Sequence, residues 1–470
     1  MIIAVVGSGG KTGRIHVLAE KYQKEGKKVL VTTTTHMMIE EGCVLSGDEA
    51  EILEKLESEG YCMAGIPAEE GKMKKLPEVL YKSLCKAADV VLVEADGSRQ
   101  LPLKYPSAGE PVIPDNVDEI HVVVGLSALG KPLKEVCHRK ELVLQCLNVS
   151  EDTIVEPVHL QKLVQKGYVE PLRAFYPEKI IKICPGQINN LYEKAVAEFL
   201  RAEQDVSVLK SCWFETRPKL IILGAGHVGL HVATLGHFLD FEVTVIDDRR
   251  EFTEQAMRSG ADFVHCHSFE NVEELFPKEE RGYYVVVTRK HQADQCCIEK
   301  ILDHDKYAYI GMIGSRIKIS KTMELLQQKG YSKQQLKEIH SPIGLNIGAR
   351  TPQEIAVSIA AELVREKNQK VFSTLTKELL ETKDTGVLCL ITKKKGSTPR
   401  GEGSMMLVTD EGILGSSGGG LVEMEVISKA REITKITKET FSLSGEAAEK
   451  NGMICGGSNE VFFVPIKNML

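Results

Sequence analysis

Three groups of residues in this chain have the types and spacings that phosphate and metal chemistry requires. The first is Gly7-Ser8-Gly9-Gly10-Lys11-Thr12. It offers a row of backbone amides for phosphates, a lysine for the β- and γ-oxygens and a hydroxyl for magnesium. Only two residues separate Gly7 from Gly10, so the loop is shorter than the full G-x-x-x-x-G-K-[ST] pattern. Two further strand-like runs end in suitable groups: Lys28–Val31 before Thr34 and Thr35, and Val90–Val93 before Glu94 and Asp96. We expect Gly7, Gly9, Gly10, Lys11, Thr12, Thr34 and Thr35 to bind an NTP. Thr12 and Asp96 are the expected magnesium ligands, and Glu94 and Asp96 the catalytic acids, in the manner of a Walker B strand. A degenerate pocket that binds without hydrolysis is the alternative.

The second group opens with Gly224, Gly226 and Gly229 at G-x-G-x-x-G spacing after the apolar run Leu220–Leu223. A helix from His227 would aim its first amides at a phosphate, and Asp247 ends the next strand where an acid could read a ribose hydroxyl. Gly314, Ser315 and Arg316 follow a later apolar run and could form a second anion cradle. The third group lies near the C-terminus: Arg400, the run Gly418-Gly419-Gly420 leading to Glu423, and Cys455 between Ile454 and Gly456-Gly457. A thiol beside glycines can be approached closely by a bulky ligand, as a soft donor. The other reading of Cys455 is close packing at a turn.

Strand–loop–helix order repeats through the chain and predicts an α/β protein. The expected parts are a P-loop-type parallel sheet at 1–204, a Rossmann domain at 217–368 and a small α+β domain at 382–470. Between strands the helix signals are ordinary: Ile15, Leu18, Ala19 and Tyr22 share one face, and Thr351-Pro352 with Glu354 reads as a capping box. His265-Cys266-His267 is not expected to hold a metal, because side chains alternate along a strand.

Composition excludes several classes. The 470 residues carry a net charge of −7 with both signs interspersed, so nucleic acid is not an expected partner. No run reaches the roughly 18 apolar residues of a membrane span. Twelve cysteines without a C-x-x-C pair fit free thiols in a cytoplasm.

Taken together, Gly-Ser-Gly-Gly-Lys-Thr (from Gly7), Thr-Thr-Thr-Thr-His (from Thr32) and Glu-Ala-Asp-Gly-Ser-Arg (from Glu94) with the Leu101-Pro102-Leu103-Lys104 tail resemble the YqeC family. That resemblance implies an accessory of selenium-dependent molybdenum hydroxylases. The run Pro185-Gly186-Gln187 stands where an Asn-Lys-x-Asp would read guanine, so ATP and GTP both stay open. Gly-Ala-Gly-His-Val-Gly, Gly-Met-Ile-Gly-Ser-Arg and Pro-Ile-Gly-Leu-Asn-Ile-Gly-Ala resemble the Rossmann domain of the XdhC/CoxI family. Gly396-Ser397-Thr398-Pro399-Arg400, Gly418-Gly419-Gly420 to Glu423 and Cys455-Gly456-Gly457 resemble its small domain, which commonly precedes the Rossmann part and here follows it. Arg289 replaces a histidine found in many relatives, while His291 and Asp294 match.

The resemblance implies a carrier that holds molybdenum cofactor, as molybdopterin or its dinucleotide form, and delivers it to a xanthine-dehydrogenase-like apo-enzyme. Cofactor contacts would fall to Gly224, Gly226, His227, Gly229, Asp247, Gly314, Ser315, Arg316, Arg400, Gly419, Gly420 and Glu423. Cys455 would handle sulfur, selenium or molybdenum, and NTP with magnesium would drive loading or release. A sulfur or selenium donor protein and a homodimer are further expected partners. The alternative is an NAD(P)-dependent oxidoreductase fused to a kinase-like domain.

Overall fold

The computed structural model describes residues 1–69, 71–97, 100–214, 217–277, 281–370, 375–396, 398, 400–416, 420–442 and 457–467. Ser98, Arg99, Ser397, Pro399, Gly418, Gly419 and Cys455 lie outside the described residues. Two compact units result, Met1–Phe214 with Glu378–Leu470, and Glu215–Lys377.

The first unit is built on β1 (Ile2–Gly7), β2 (Val29–Thr33), β3 (Tyr61–Met63), β4 (Val90–Glu94), β5 (Glu119–Gly125) and β6 (Ile180–Gly186). All six are parallel, in the order 6-5-1-4-2-3. β1, β2 and β4 are buried along their whole lengths, which is why they read as unbroken apolar runs. Helix α1 (Lys11–Lys24) buries Ile15, Leu18 and Ala19 against this sheet. Parallel pairing brings the carboxyl ends of β1, β2 and β4 to one edge. Helix α2 (Leu191–Arg201) is capped by the Asn190 side chain, which accepts from the Glu193 amide at 2.9 Å.

The second unit has β7 (Lys219–Leu223), β8 (Glu242–Asp247), β9 (Phe263–Cys266), β10 (Gly282–Val286), β11 (Tyr307–Met312) and β12 (Ile339–His340). Their order is 9-8-7-10-11-12, again all parallel. This is the doubly wound order of a dinucleotide-binding sheet, with its switch point between β7 and β10. Helices α3 (His227–Phe238), α4 (His291–His304), α5 (Arg316–Gln328) and α6 (Pro352–Lys370) cover the two faces. Glu354 caps α6 as its spacing predicts: its carboxylate accepts from the Arg350 amide at 2.7 Å and the Thr351 amide at 3.0 Å.

The C-terminal part of the first unit is an antiparallel sheet of β13 (Gly386–Gly396), β14 (Met405–Val408), β15 (Ile413–Gly415), β16 (Thr437–Ser442) and β17 (Gly457–Ile466). Its order is 15-14-13-17-16. Helix α7 (Gly420–Ala430) packs Val426 and Ala430 onto Cys389, Ile391, Met406, Val461 and Phe463. The whole is the mixed α/β architecture that the motif order predicts.

Candidate functional site

The loop after β1 is shaped by crowding. A Cβ on Gly7, at φ 93°, would lie 2.1 Å from the Val123 carbonyl oxygen. One on Gly9, at φ 73°, would lie 2.4 Å from Gly125 Cα. Only glycine fits both the backbone angle and the space. The loop therefore delivers Lys11 and Thr12 to the first turn of α1 at the carboxyl edge of the sheet.

Lys11 is 5% exposed, and its Nζ reaches back to donate to the Gly7 carbonyl at 3.1 Å. It also faces Glu94 Oε1 at 3.8 Å. Burial lowers the Lys11 pKa. Burial likewise pushes the Glu94 carboxyl up to about 7, with Lys11 pulling against it. Glu94 Oε2 is buried and has no hydrogen-bond partner among the described residues. A buried carboxylate oxygen left unpaired is costly, and it stands ready to accept a cation or a proton.

Asp96, expected as a magnesium ligand and catalytic acid, is engaged in buried bonds. Its Oδ1 is paired with the fully buried Lys104, and its Oδ2 accepts from Tyr168 at 2.8 Å and the Gly7 amide at 3.2 Å. Asp96 is itself 0% exposed, so both oxygens serve to fix the loop from below. Lys104 also meets Glu110 at 2.7 Å, and Arg139 grips Glu110 with both nitrogens. Burial would raise the Glu110 carboxyl, but hydrogen bonds from Arg139 and Lys104 outweigh it and hold it at about 2. Of Glu94 and Asp96, Glu94 is the one with an oxygen left unpaired.

These residues floor a cleft of about 1280 Å³. Gly9, Gly10, Lys11, Thr12, Thr35 and Glu94 all line it. Thr34 is turned aside, its hydroxyl donating to the Val112 carbonyl at 2.7 Å. Lys72 and Lys74 add positive charge from a short strand whose middle residue, Met73, is fully buried. Sequence reasoning missed this pair, although Lys-Met-Lys after Gly71 has the period of two that puts both lysines on one face. Arg139 and Tyr168 were missed for a different reason: no local pattern ties them to Asp96.

In the second unit the glycine loop crosses the switch point between β7 and β10. Gly224, at φ 114°, has the Val287 carbonyl oxygen 2.6 Å from where its Cβ would be. A Cβ on Gly229 would lie 2.0 Å from the Gly224 carbonyl oxygen, so helix α3 lies directly on the loop. Gly226 is the exception, with nothing within 4 Å of that place. The loop therefore leaves open space at its middle glycine, and exposed His227 begins α3 beside it.

Asp247 does not face an open ribose position. Its Oδ2 accepts from the Ala225 amide at 2.7 Å, and Oδ1 accepts from the Arg249 amide at 3.0 Å and its Nε at 2.9 Å. It is 1% exposed. Burial opposes ionisation, but these bonds outweigh it and hold the carboxyl below its usual range. Asp247 braces the loop through these bonds, which the nearby Arg249 could have signalled. Gly314, Ser315 and Arg316 sit at the same carboxyl edge, with Ser315 capping α5 and Arg316 exposed. Asp294 ties the two edges together: it accepts from the Thr288 amide at 3.0 Å and pairs with Lys318 on α5.

The C-terminal candidates are only partly placed. Arg400 is half-buried in the turn before β14, Gly420 starts α7, and Glu423 accepts from Ser416 at 2.8 Å. Among the described residues no group of three or more His, Cys, Asp or Glu is gathered for a metal ion. No helix among them is long and apolar enough to cross a membrane.

Three family models match the chain. The YqeC protein model matches residues 3–141, the XdhC Rossmann domain 220–363, and the XdhC and CoxI family 379–442. The chain is 35% identical over 172 residues to the uncharacterized protein YqeC of Escherichia coli (strain K12), covering 35% of this chain and 67% of that protein. It is 31% identical over 153 residues to uncharacterized protein YqeB of the same strain, covering 32% and 28% respectively. It is 32% identical over 155 residues to a probable xanthine dehydrogenase subunit of Bacillus subtilis (strain 168), covering 33% and 44%. The chain thus spans between about a quarter and two thirds of these relatives. In its first third the chain belongs to the YqeC family, and to that segment it joins an XdhC Rossmann domain and a further segment of the XdhC and CoxI family.

Proposed function

We propose that this chain is an accessory for the maturation of a molybdenum hydroxylase of the xanthine dehydrogenase type. It holds molybdenum cofactor at its Rossmann edge and binds Mg-NTP in its N-terminal cleft. What supports the reading is one chain that joins a YqeC segment to an XdhC Rossmann domain, each with a glycine loop between a strand and a helix. The open space at Gly226 fits a pyrophosphate.

The N-terminal residues fit a nucleotide. The unpaired Glu94 oxygen suits a magnesium ion with Thr12, and Lys11 stands one reorientation from a terminal phosphate. Asp96, Lys104 and Tyr168 keep the loop rigid so that its amides need not reorganise on binding. At the Rossmann edge the chain's task is to bind, orient and shield. When bound, the cofactor supplies the molybdenum centre on which the target enzyme depends. Arg316 and the α3 amides would hold its anionic groups. A sulfur or selenium donor would act before delivery.

The test is the ligand that stays with the full chain when it is purified from a cell that makes molybdenum cofactor. Molybdenum and, after oxidation, a fluorescent pterin are expected. Nicotinamide absorbance with no molybdenum would overturn the reading in favour of an oxidoreductase.

A further inference from the structure

A second cleft, of about 1010 Å³, lies beyond the phosphate loop in the first unit. Gly10 and Gln187 line both clefts, so the two meet over the start of α1. The floor of the second cleft is one face of α1, carrying Gly13 and Val17. Pro185 and Ile188 form one side, after β6. The C-terminal part of the unit also lines it, through Ile436 just before β16 and Pro465 on β17.

Two observations point to a flat, partly apolar ligand. Gly13 is the third residue of α1 and adds no side chain to that face of the helix. No atom lies within 4 Å of the place its Cβ would take, so the helix is bare toward the cleft without any packing reason. Val17, one turn further on, is 39% exposed. Val17 shares the cleft with Ile183, Pro185, Ile188, Ile436 and Pro465, an apolar part of its lining beside the Gly7–Thr12 loop, with charged residues such as Arg14 and Lys435 in the remainder.

We propose that this second cleft takes the nucleoside of the nucleotide whose phosphates rest on the Gly7–Thr12 loop, and that the C-terminal segment supplies one of its walls. The inference rests on the nucleotide reading of the first cleft. It assigns the remainder of that ligand and adds a consequence. Helix α2 lines the cleft through Glu198 and Arg201 and also carries the C-terminal sheet. On α2, Lys194 Nζ donates to the Thr382 carbonyl at 2.9 Å, and Phe199 packs on Phe462 with ring centres 5.9 Å apart. A bound nucleoside would touch both the sheet that binds its phosphates and the XdhC and CoxI segment. Nucleotide binding and the docking of that segment then strengthen each other by linkage.

The experiment is calorimetry on the full chain with Mg-ATP, Mg-GTP and inorganic tripolyphosphate. Gly13→Leu fills the slot from the helix and improves helix propensity, and Ile436→Trp fills it from the C-terminal wall. Each should weaken the preferred nucleotide at least about tenfold while tripolyphosphate stays within about twofold. Unchanged nucleotide affinity in both variants overturns the assignment but leaves the phosphate loop standing. Equal losses for tripolyphosphate and nucleotide also overturn it, because the variants then act on the loop. If the parent binds none of the three probes, the nucleotide reading itself fails and this assignment falls with it.

Discussion

Lys11→Met should lower Mg-NTP affinity by at least about a hundredfold, the loss of a charge-assisted phosphate contact at a desolvated site. The substitution should leave the fold intact. Methionine keeps most of the buried side-chain volume, and Glu94, left without its facing cation, can take up a proton. The remaining carboxyl, Glu94, is already pushed up to about 7 by burial, and losing the facing cation drives it further toward the neutral acid. Glu94→Gln should weaken the magnesium-dependent part of binding and spare the magnesium-free part. By contrast, Asp96→Asn should mainly lower the thermal midpoint, because it breaks the buried pair with Lys104 beneath the loop. Calorimetry with and without magnesium, beside thermal melts, separates the three. Nucleotide affinity unchanged in Lys11→Met would remove the phosphate-loop assignment.

Gly226→Val should empty the Rossmann edge of cofactor without unfolding it. No atom lies within 4 Å of the Gly226 Cβ position, and its φ of −70° is one valine adopts. The new side chain would occupy the space that a pyrophosphate needs. Molybdenum per purified chain should fall at least about tenfold, as for a ligand weakened by more than about 1.4 kcal/mol. Gly229→Val is the contrasting variant. Its Cβ would meet the Gly224 carbonyl oxygen at 2.0 Å, so it should lose cofactor and stability together. Parent-like molybdenum content in Gly226→Val would place the cofactor elsewhere.

How much of this was legible in the sequence depended on the range of the interaction concerned. The parallel strands were readable because strands buried on both faces must be apolar throughout, as Ile2–Val6 and Val90–Val93 are. Glycine loops were readable because crowding at Gly7, Gly9, Gly224 and Gly229 admits nothing larger. The choice between Glu94 and Asp96 was not. Both end the same strand, and only Tyr168, 72 residues away in sequence, with Lys104 decides which keeps a free oxygen. Asp247 stood between these cases, since its brace Arg249 is two residues on and the bonds could have been suspected. The association of Glu378–Leu470 with the first unit was invisible for the same reason as Tyr168. It depends on contacts such as Phe199 with Phe462 and Lys194 with Thr382, across a long stretch of chain.

Delivery of the cofactor is a transfer between two proteins, and activation of the receiving enzyme measures it. Full chain loaded with molybdenum cofactor is mixed with a xanthine-dehydrogenase-type apo-enzyme, with and without Mg-NTP, and hydroxylase activity is followed beside an equal amount of free cofactor. The account predicts activation by the loaded chain beyond that by free cofactor, strengthened by Mg-NTP and unresponsive to it in Lys11→Met. Activation no better than that by free cofactor, with or without nucleotide, would contradict it.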